Sequence, residues 1–237
     1  MAQTHPLNGK LVAVIGGSGF LGDHVAQALL SHGARVRIAS RNPHKAYNLK
    51  PLAQLGQLQF AKCDATRPAS AAAAVAGADA VVNLVGTFSG DLMKAIAGSA
   101  RNVAQAAADA GCTALVHVSA IGADPESPAG YARAKAESEA GVLAAYPNAT
   151  ILRPSIVFGE DDNFIQMFAG LIAKMPILPV FAPNAPVQPL YVDDAAAAVV
   201  AALAAGFIAQ GAGERGRQRV ADDGPALQRV AHAAEQL

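Results

Sequence analysis

A glycine-rich turn, Gly16-Gly17-Ser18-Gly19-Phe20-Leu21-Gly22, follows the apolar run Leu11-Val12-Ala13-Val14-Ile15. Glycines at 16, 19 and 22 give GxxGxxG spacing. The first permits a tight turn, the second lets a ligand approach the backbone, and the third lets a helix pack closely on a strand. A helix opening at Phe20 and Leu21 presents unpaired N–H groups and the positive end of its dipole, which is the chemistry of pyrophosphate binding. The strand before and the helix after are the context the motif requires. At about 20 residues past such glycines, dinucleotide folds that hold a free ribose 2′-hydroxyl place a carboxylate. Here the sequence reads Ala39-Ser40-Arg41-Asn42-Pro43. Arg41 suits a 2′-phosphate and Ser40 can donate one more hydrogen bond, a solvated surface arginine being the alternative. The pattern favours NADP(H) and leaves NAD(H) open.

A second constellation is Tyr131-Ala132-Arg133-Ala134-Lys135. Tyrosine and lysine four apart project from one helix face. A nearby ammonium, together with cofactor charge, is expected to lower the phenol pKa, so that Tyr131 can pass a proton to or from a substrate oxygen. Other residue sets read more plainly. The six histidines show no ligand spacing, and Asp161-Asp162 and Asp193-Asp194 read as helix N-terminal caps, so no metal is expected. Cys63 and Cys112 have no CxxC spacing and are expected to be buried free thiols.

The elements needed to position these residues follow from periodicity. Apolar runs at Leu11 to Ile15, Val36 to Ala39, Leu58 to Ala61, Ala80 to Val85, Ala114 to Val118 and Thr150 to Val157 read as strands. Helical segments alternate with them: Phe20 to Ser31, around His44 to Leu55, from near Pro68, Asp91 to Ala110 and Gly130 to Ala145. This alternation calls for an α/β fold, a Rossmann-like doubly wound parallel sheet with helices on both faces. Residues 1–160 form the expected dinucleotide-binding domain. Residues 161–237 form a small, shortened C-terminal lobe interleaved with it: a helix from Asn163 to Lys174, a short strand at Gln188 to Val192, a helix capped by Asp193, and an irregular tail from about 206.

The 18 basic and 18 acidic residues cancel to a net charge of +0, so no long-range field draws nucleic acid or an anionic membrane. Charged residues are 15% and apolar residues 52% of the chain, a globular composition. Met1 to Lys10 shows neither the basic nor the apolar stretch of a secretory signal. The uncharged run Ala195 to Ala209 falls short of the roughly 20 residues that span a bilayer, so it reads as a buried or half-buried helix and no transmembrane segment is expected.

These motifs resemble the short-chain dehydrogenase/reductase superfamily in its extended or atypical branch. Asp64 and Ala65 follow the third strand, where that superfamily has an Asp near the adenine. Leu84, Val85 and Gly86 end the fourth, where backbone lines the cofactor. Three further stretches, His117 to Asp124, Leu152 to Gly159 and Gln188 to Asp194, are similar to the NAD(P)H-binding accessory subunit of respiratory complex I and its bacterial relatives. The resemblance implies that Lys135 also bonds the nicotinamide ribose, that Pro154, Ser155 and Ile156 approach the nicotinamide, and that Ser119 orients a substrate carbonyl. In the extended branch that serine or threonine often lies two positions further on, which here is Ile121.

The resemblance also implies an oxidoreductase acting on a carbonyl or quinone-related substrate. The alternatives are a non-catalytic NADPH-bound scaffold or sensor of a respiratory or quinone-biosynthesis assembly, and a sugar-nucleotide epimerase or dehydratase. Implied partners are proteins of such assemblies, and the implied location is cytoplasmic or peripheral at the inner face of a membrane. Gly211 to Val220 departs from the family's Leu-Gly-Gly-Pro type turn, which implies a shortened substrate-side lobe.

Overall fold

The computed structural model describes residues 5–162, 166, 170, 172, 173, 188–211 and 219–222. Seven strands form one parallel sheet: β1 (Leu11–Ile15), β2 (Arg35–Ser40), β3 (Leu58–Lys62), β4 (Ala80–Asn83), β5 (Ala114–Val118), β6 (Thr150–Arg153) and β9 (Arg219–Asp222), in the order β3-β2-β1-β4-β5-β6-β9. The order reverses between β1 and β4. At such a switch point the connections leave to opposite sides and open a crevice beyond the strand ends. The Rossmann-like sheet expected from the alternation is present.

Strand residues alternate between two cores. Val12 and Val14 of β1 face one cluster, and Leu11, Ala13 and Ile15 face the other. The first cluster is covered by α1 (Phe20–Ser31) and α5 (Val192–Gly211), through Val25, Leu29, Val199 and Leu203. The second is covered by α2 (Pro68–Val75), α3 (Ser99–Asp109) and α4 (Gly130–Ala145). With both faces buried, β1 reads as a continuous apolar run rather than an alternating one, and β5 as a run broken only by His117. Cys63 and Cys112 are buried free thiols.

Several elements differ from expectation. The segment expected as a helix at 44–55 is a 3₁₀ run, Pro43–Leu52, kinked at Ala46 and holding Pro51, which cannot donate an N–H. The helix expected over 91–110 opens with a π-helical stretch, Met93–Gly98, before α3. The strand expected to reach Val157 stops at Arg153, because Pro154 offers no N–H to the ladder. Val157–Phe158 (β7) then pairs with Leu190–Tyr191 (β8) in a separate two-stranded sheet.

The helix expected from Ala195 begins earlier, at Val192, so Asp193 lies in its first turn rather than at its cap. Asp193 Oδ1 meets His24 Nδ1 at 2.6 Å and ties α5 to α1. At 20 residues, α5 is long and apolar enough to cross a membrane, which corrects the shorter estimate. It packs as a core helix. Gly206 approaches β5 so closely that a Cβ there would lie 2.8 Å from the Ala114 Cβ. The stretch from 206, expected to be irregular, continues as helix to Gly211 and includes β9 at the sheet edge. The helix expected at Asn163 to Lys174 lies almost wholly outside the described residues, as does most of the tail.

Candidate functional site

The glycine turn is built as its spacing requires. Gly16 has φ +85°, a conformation that side chains disfavour, and a Cβ there would stand 3.1 Å from the Leu84 carbonyl carbon. A Cβ on Gly22 would lie 2.6 Å from the Gly17 Cα. Gly17, which the spacing argument passes over, is as constrained: its Cβ would meet the Val14 carbonyl oxygen at 2.8 Å. Gly19 differs. The nearest atom to a Cβ there is the Gly16 carbonyl oxygen at 3.4 Å, so the protein itself does not demand a glycine. Gly19 is the N-terminal cap of α1, and the N–H groups of Phe20, Leu21 and Gly22 meet no acceptor among the described residues.

A groove of about 620 Å³ opens from this turn across the switch point. Its walls include Gly16, Gly19, Ser40, Arg41, Asp64, Ala65, Leu84, Val85 and Gly86. Phe20, Leu21 and Gly22 stand behind it. The Phe20 ring lies over Gly159 and the Leu21 side chain packs in the core, so only their backbone is offered to a phosphate. Ser40 Oγ accepts a hydrogen bond from Ser18 Oγ at 2.7 Å, and Arg41 is exposed at the groove's edge. Asp64 is fixed by Thr66, whose hydroxyl (2.7 Å) and N–H (3.1 Å) both donate to Oδ1 and hold the carboxyl below its ordinary pKa.

Sequence reasoning missed Lys45 and Lys94, which also line the groove. Lys45 lies four residues past Arg41, just after Pro43 starts the 3₁₀ run. Lys94 enters at the π-helical stretch, its N–H bonded to Asp91 Oδ1 at 3.0 Å.

Beyond the groove, α4 brings the second constellation to the ends of β5 and β6. Lys135 is buried, and its Nζ donates to the Val118 carbonyl at 3.0 Å, next to Ser119. The same Nζ stands 5.9 Å from the centre of the Tyr131 ring. Ser119 Oγ is buried and has no hydrogen-bond partner among the described residues. Burial lowers the Lys135 pKa to about 8, partly offset by the neighbouring Glu139 carboxylate. Burial also raises the Tyr131 pKa, so the expected lowering of the phenol by Lys135 is absent from this structure. Burial disfavours the charged phenolate there.

Pro154, Ser155 and Ile156 do not line the groove. Pro154 is buried beside Leu21 and Val118. Ser155 Oγ donates to the Gln188 carbonyl, and the Ile156 carbonyl accepts from the Leu190 N–H at 2.9 Å, so both hold β7 and β8 together.

Beneath the site runs a buried polar chain that sequence reasoning did not assemble. Val85 N–H donates to Asn83 Oδ1, and Asn83 Nδ2 donates to His117 Nδ1 at 3.1 Å. With Nδ1 accepting, the neutral imidazole carries its proton on Nε2, which donates to Ser138 Oγ at 3.0 Å. Ser138 donates in turn to the Lys135 carbonyl at 2.7 Å. Desolvation, with the Lys135 charge adding to it, lowers the His117 pKa to about 3 and keeps the ring neutral. Glu139 and Arg153 form a fork, Nε to Oε1 at 2.9 Å and Nη2 to Oε2 at 2.6 Å, clamping α4 to the end of β6. The chain and the clamp fix the groove wall, α4 and the β6 terminus as one unit.

Residues 16–167 match the family model described as NAD(P)H-binding, which is more than half of the chain. The chain belongs to the NAD(P)H-binding family. It is 34% identical over 204 residues to the mitochondrial NADH dehydrogenase (ubiquinone) 1 alpha subcomplex subunit 9 of Arabidopsis thaliana, covering 83% of this chain and 51% of that protein. It is 30% identical over 194 residues to a ceramide reductase of Caulobacter vibrioides, covering 81% of this chain and 60% of that protein. The chain spans about half the length of the subunit 9 relatives it matches. Among solved structures, the dTDP-glucose 4,6-dehydratase DesIV of Streptomyces venezuelae, crystallised with NAD, superposes at a TM-score of 0.71 with 19% identity. That likeness covers 95% of this chain and 80% of that one, and it shows the shared fold.

Proposed function

We propose that this NAD(P)H-binding protein is a reductase of a carbonyl or quinone-related substrate, with NADPH the preferred cofactor. The observation that carries the reading is the anchoring of Lys135 on the Val118 carbonyl, one residue before the unpartnered Ser119 hydroxyl, with its ammonium 5.9 Å from the centre of the Tyr131 ring. A buried hydroxyl without a partner costs free energy unless something outside the protein completes it. When bound, the nicotinamide supplies hydride to the carbonyl carbon. Ser119 orients the substrate oxygen. Tyr131 supplies the matching proton, and its raised pKa keeps it protonated at neutral pH, as the reducing direction needs. Lys135 carries its charge below about pH 8 and holds the cofactor's ribose.

The preference for NADPH is supported by Arg41 and Lys45 at the groove and by the absence of a carboxylate from the end of β2. Partners among respiratory or quinone-biosynthesis proteins are part of the proposal, on the similarity to complex I subunits.

Stopped-flow fluorescence of protein-bound NADPH tests the reading. Mixing with ketones and quinones should oxidise the cofactor in a single turnover, and Tyr131→Phe should slow it at least about 100-fold. If no ketone or quinone oxidises bound NADPH, the chain is a nucleotide-bound scaffold.

A further inference from the structure

Among the described residues, three cations line the groove, and they reach it from two sides. Arg41 and Lys45 follow β2, while Lys94 follows β4. In the sheet, β2 and β4 are the two neighbours of β1, whose end carries the glycine turn. Lys94 therefore approaches the turn from the side opposite Arg41 and Lys45. Its ammonium makes no hydrogen bond or ion pair among the described residues. Two carboxylates also line the groove, Asp64 and Asp91. Asp64 is held by Thr66, and Asp91 Oδ1 accepts the Lys94 backbone N–H at 3.0 Å without pairing with the Lys94 side chain.

Lys94 is carried there by an uncommon element. Met93–Gly98 is π-helical, a form that is rare, short and recurrent at functional sites. Ile96 and Ala97 bury their side chains, Ala95 and Ser99 line the groove one turn apart, and the exposed Lys94 stands beside Ala95 at its edge. The Ser99 hydroxyl donates to the Ala95 and Ile96 carbonyls at 2.6 and 3.1 Å. Of the side chains that this helix sets along the groove, Lys94 alone keeps a donor free.

A dinucleotide presents its diphosphate to the glycine turn whether or not it carries a 2′-phosphate. The macrodipole of α1 answers roughly two negative charges with about half a positive one. Arg41 and Lys45 stand on the β2 side, where the proposed 2′-phosphate site lies, and Lys94 is the cation left for the diphosphate. We infer that Lys94 is a diphosphate-binding residue of the groove, closing on the ligand from the β4 side, across from Arg41. The inference rests on the reading of the groove as the dinucleotide site and on nothing about turnover.

Fluorescence titrations of NADPH and NADH into the full chain and its Lys94→Gln variant test it, with ADP-ribose as a competitor that displaces bound NADPH. Lys94→Gln should weaken all three by the same factor, about tenfold. The loss should shrink as salt rises, because an exposed charge is screened. Lys94→Arg, which keeps the charge, should recover most of the affinity, and an unfolding midpoint equal to wild type reports that the fold is intact. Wild-type affinity for all three ligands in Lys94→Gln overturns the inference. So does a loss confined to NADPH, which would put Lys94 on the 2′-phosphate, or a loss that spares ADP-ribose, which would put it on the nicotinamide half. A wild-type chain that neither dinucleotide saturates removes the cofactor reading of the groove, and the role of Lys94 with it.

Discussion

The groove at the glycine turn and the rim above β5 and β6 share one edge of one sheet and differ in chemistry. The groove offers the free N–H groups of a helix N-terminus, with Arg41, Lys45 and Lys94 along its walls. The rim offers the exposed carboxylates of Asp124, Glu126, Glu160 and Asp161 and the exposed side chains of Phe88 and Ile121, with the Arg133 guanidinium bonded to the Ser127 and Pro128 carbonyls. The groove is set by backbone geometry, the rim by the character of its side chains. The switch point between β1 and β4 lets a single sheet present both, because connections leave it in opposite directions.

The largest effect that should break this division is steric. Gly22→Val places side-chain atoms onto the Gly17 backbone, where even a Cβ lies at 2.6 Å. It should cost about 3 kcal/mol or more in denaturant unfolding and abolish NADPH binding. Gly19→Ala is the sharpening control. It should leave the unfolding midpoint within about 0.5 kcal/mol, since the nearest contact is 3.4 Å, and still weaken NADPH where the backbone meets phosphate. Equal destabilisation by both would mean that Gly19 is structural and that the groove is not read by backbone approach.

Next in size is the clamp. Glu139→Ala leaves the Arg153 guanidinium without its forked partner and should cost about 3 kcal/mol in unfolding free energy. Arg41→Ala should weaken NADPH about tenfold in a fluorescence titration and leave NADH unchanged. An unchanged NADPH/NADH ratio would assign the 2′-phosphate elsewhere.

Two pH effects are smaller. The folded pKa of His117 lies below its ordinary 6.5, so the unfolded chain binds the extra proton first. Stability is therefore present above about 6.5 and lost as pH falls toward 3, and His117→Gln should flatten that limb of an acid titration. Lys135 loses its charge as pH rises through about 8, so NADPH affinity should decline several-fold there, and Lys135→Met should remove the dependence.

The two halves were unequally legible in the sequence. The groove is encoded by backbone requirements, and those leave local marks. The glycines at 16, 19 and 22, the apolar run before them and Arg41 after β2 each announce a conformation or a charge at a fixed offset. The β4 and β5 strands read as apolar runs for the same reason, both faces being buried. Other features depend on pairs distant in sequence. Nothing near His117 announces that Asn83 and Ser138 will hold it neutral, and nothing near Glu139 announces Arg153. Helical spacing shows that Lys135 is near Tyr131 but not that burial desolvates both groups. Arg153-Pro154 ends β6 early, a proline signal that was present but outweighed by the apolar run to Val157.

The most direct test of the account is a titration of NADPH into the full chain, followed by nicotinamide fluorescence, which no tryptophan obscures because the chain has none. The account predicts a saturable, one-to-one enhancement that NADH reaches only at higher concentration and that Gly19→Ala weakens without unfolding the protein. Fluorescence that fails to saturate in the wild-type chain, or a Gly19→Ala variant that binds NADPH as well as wild type, would contradict it.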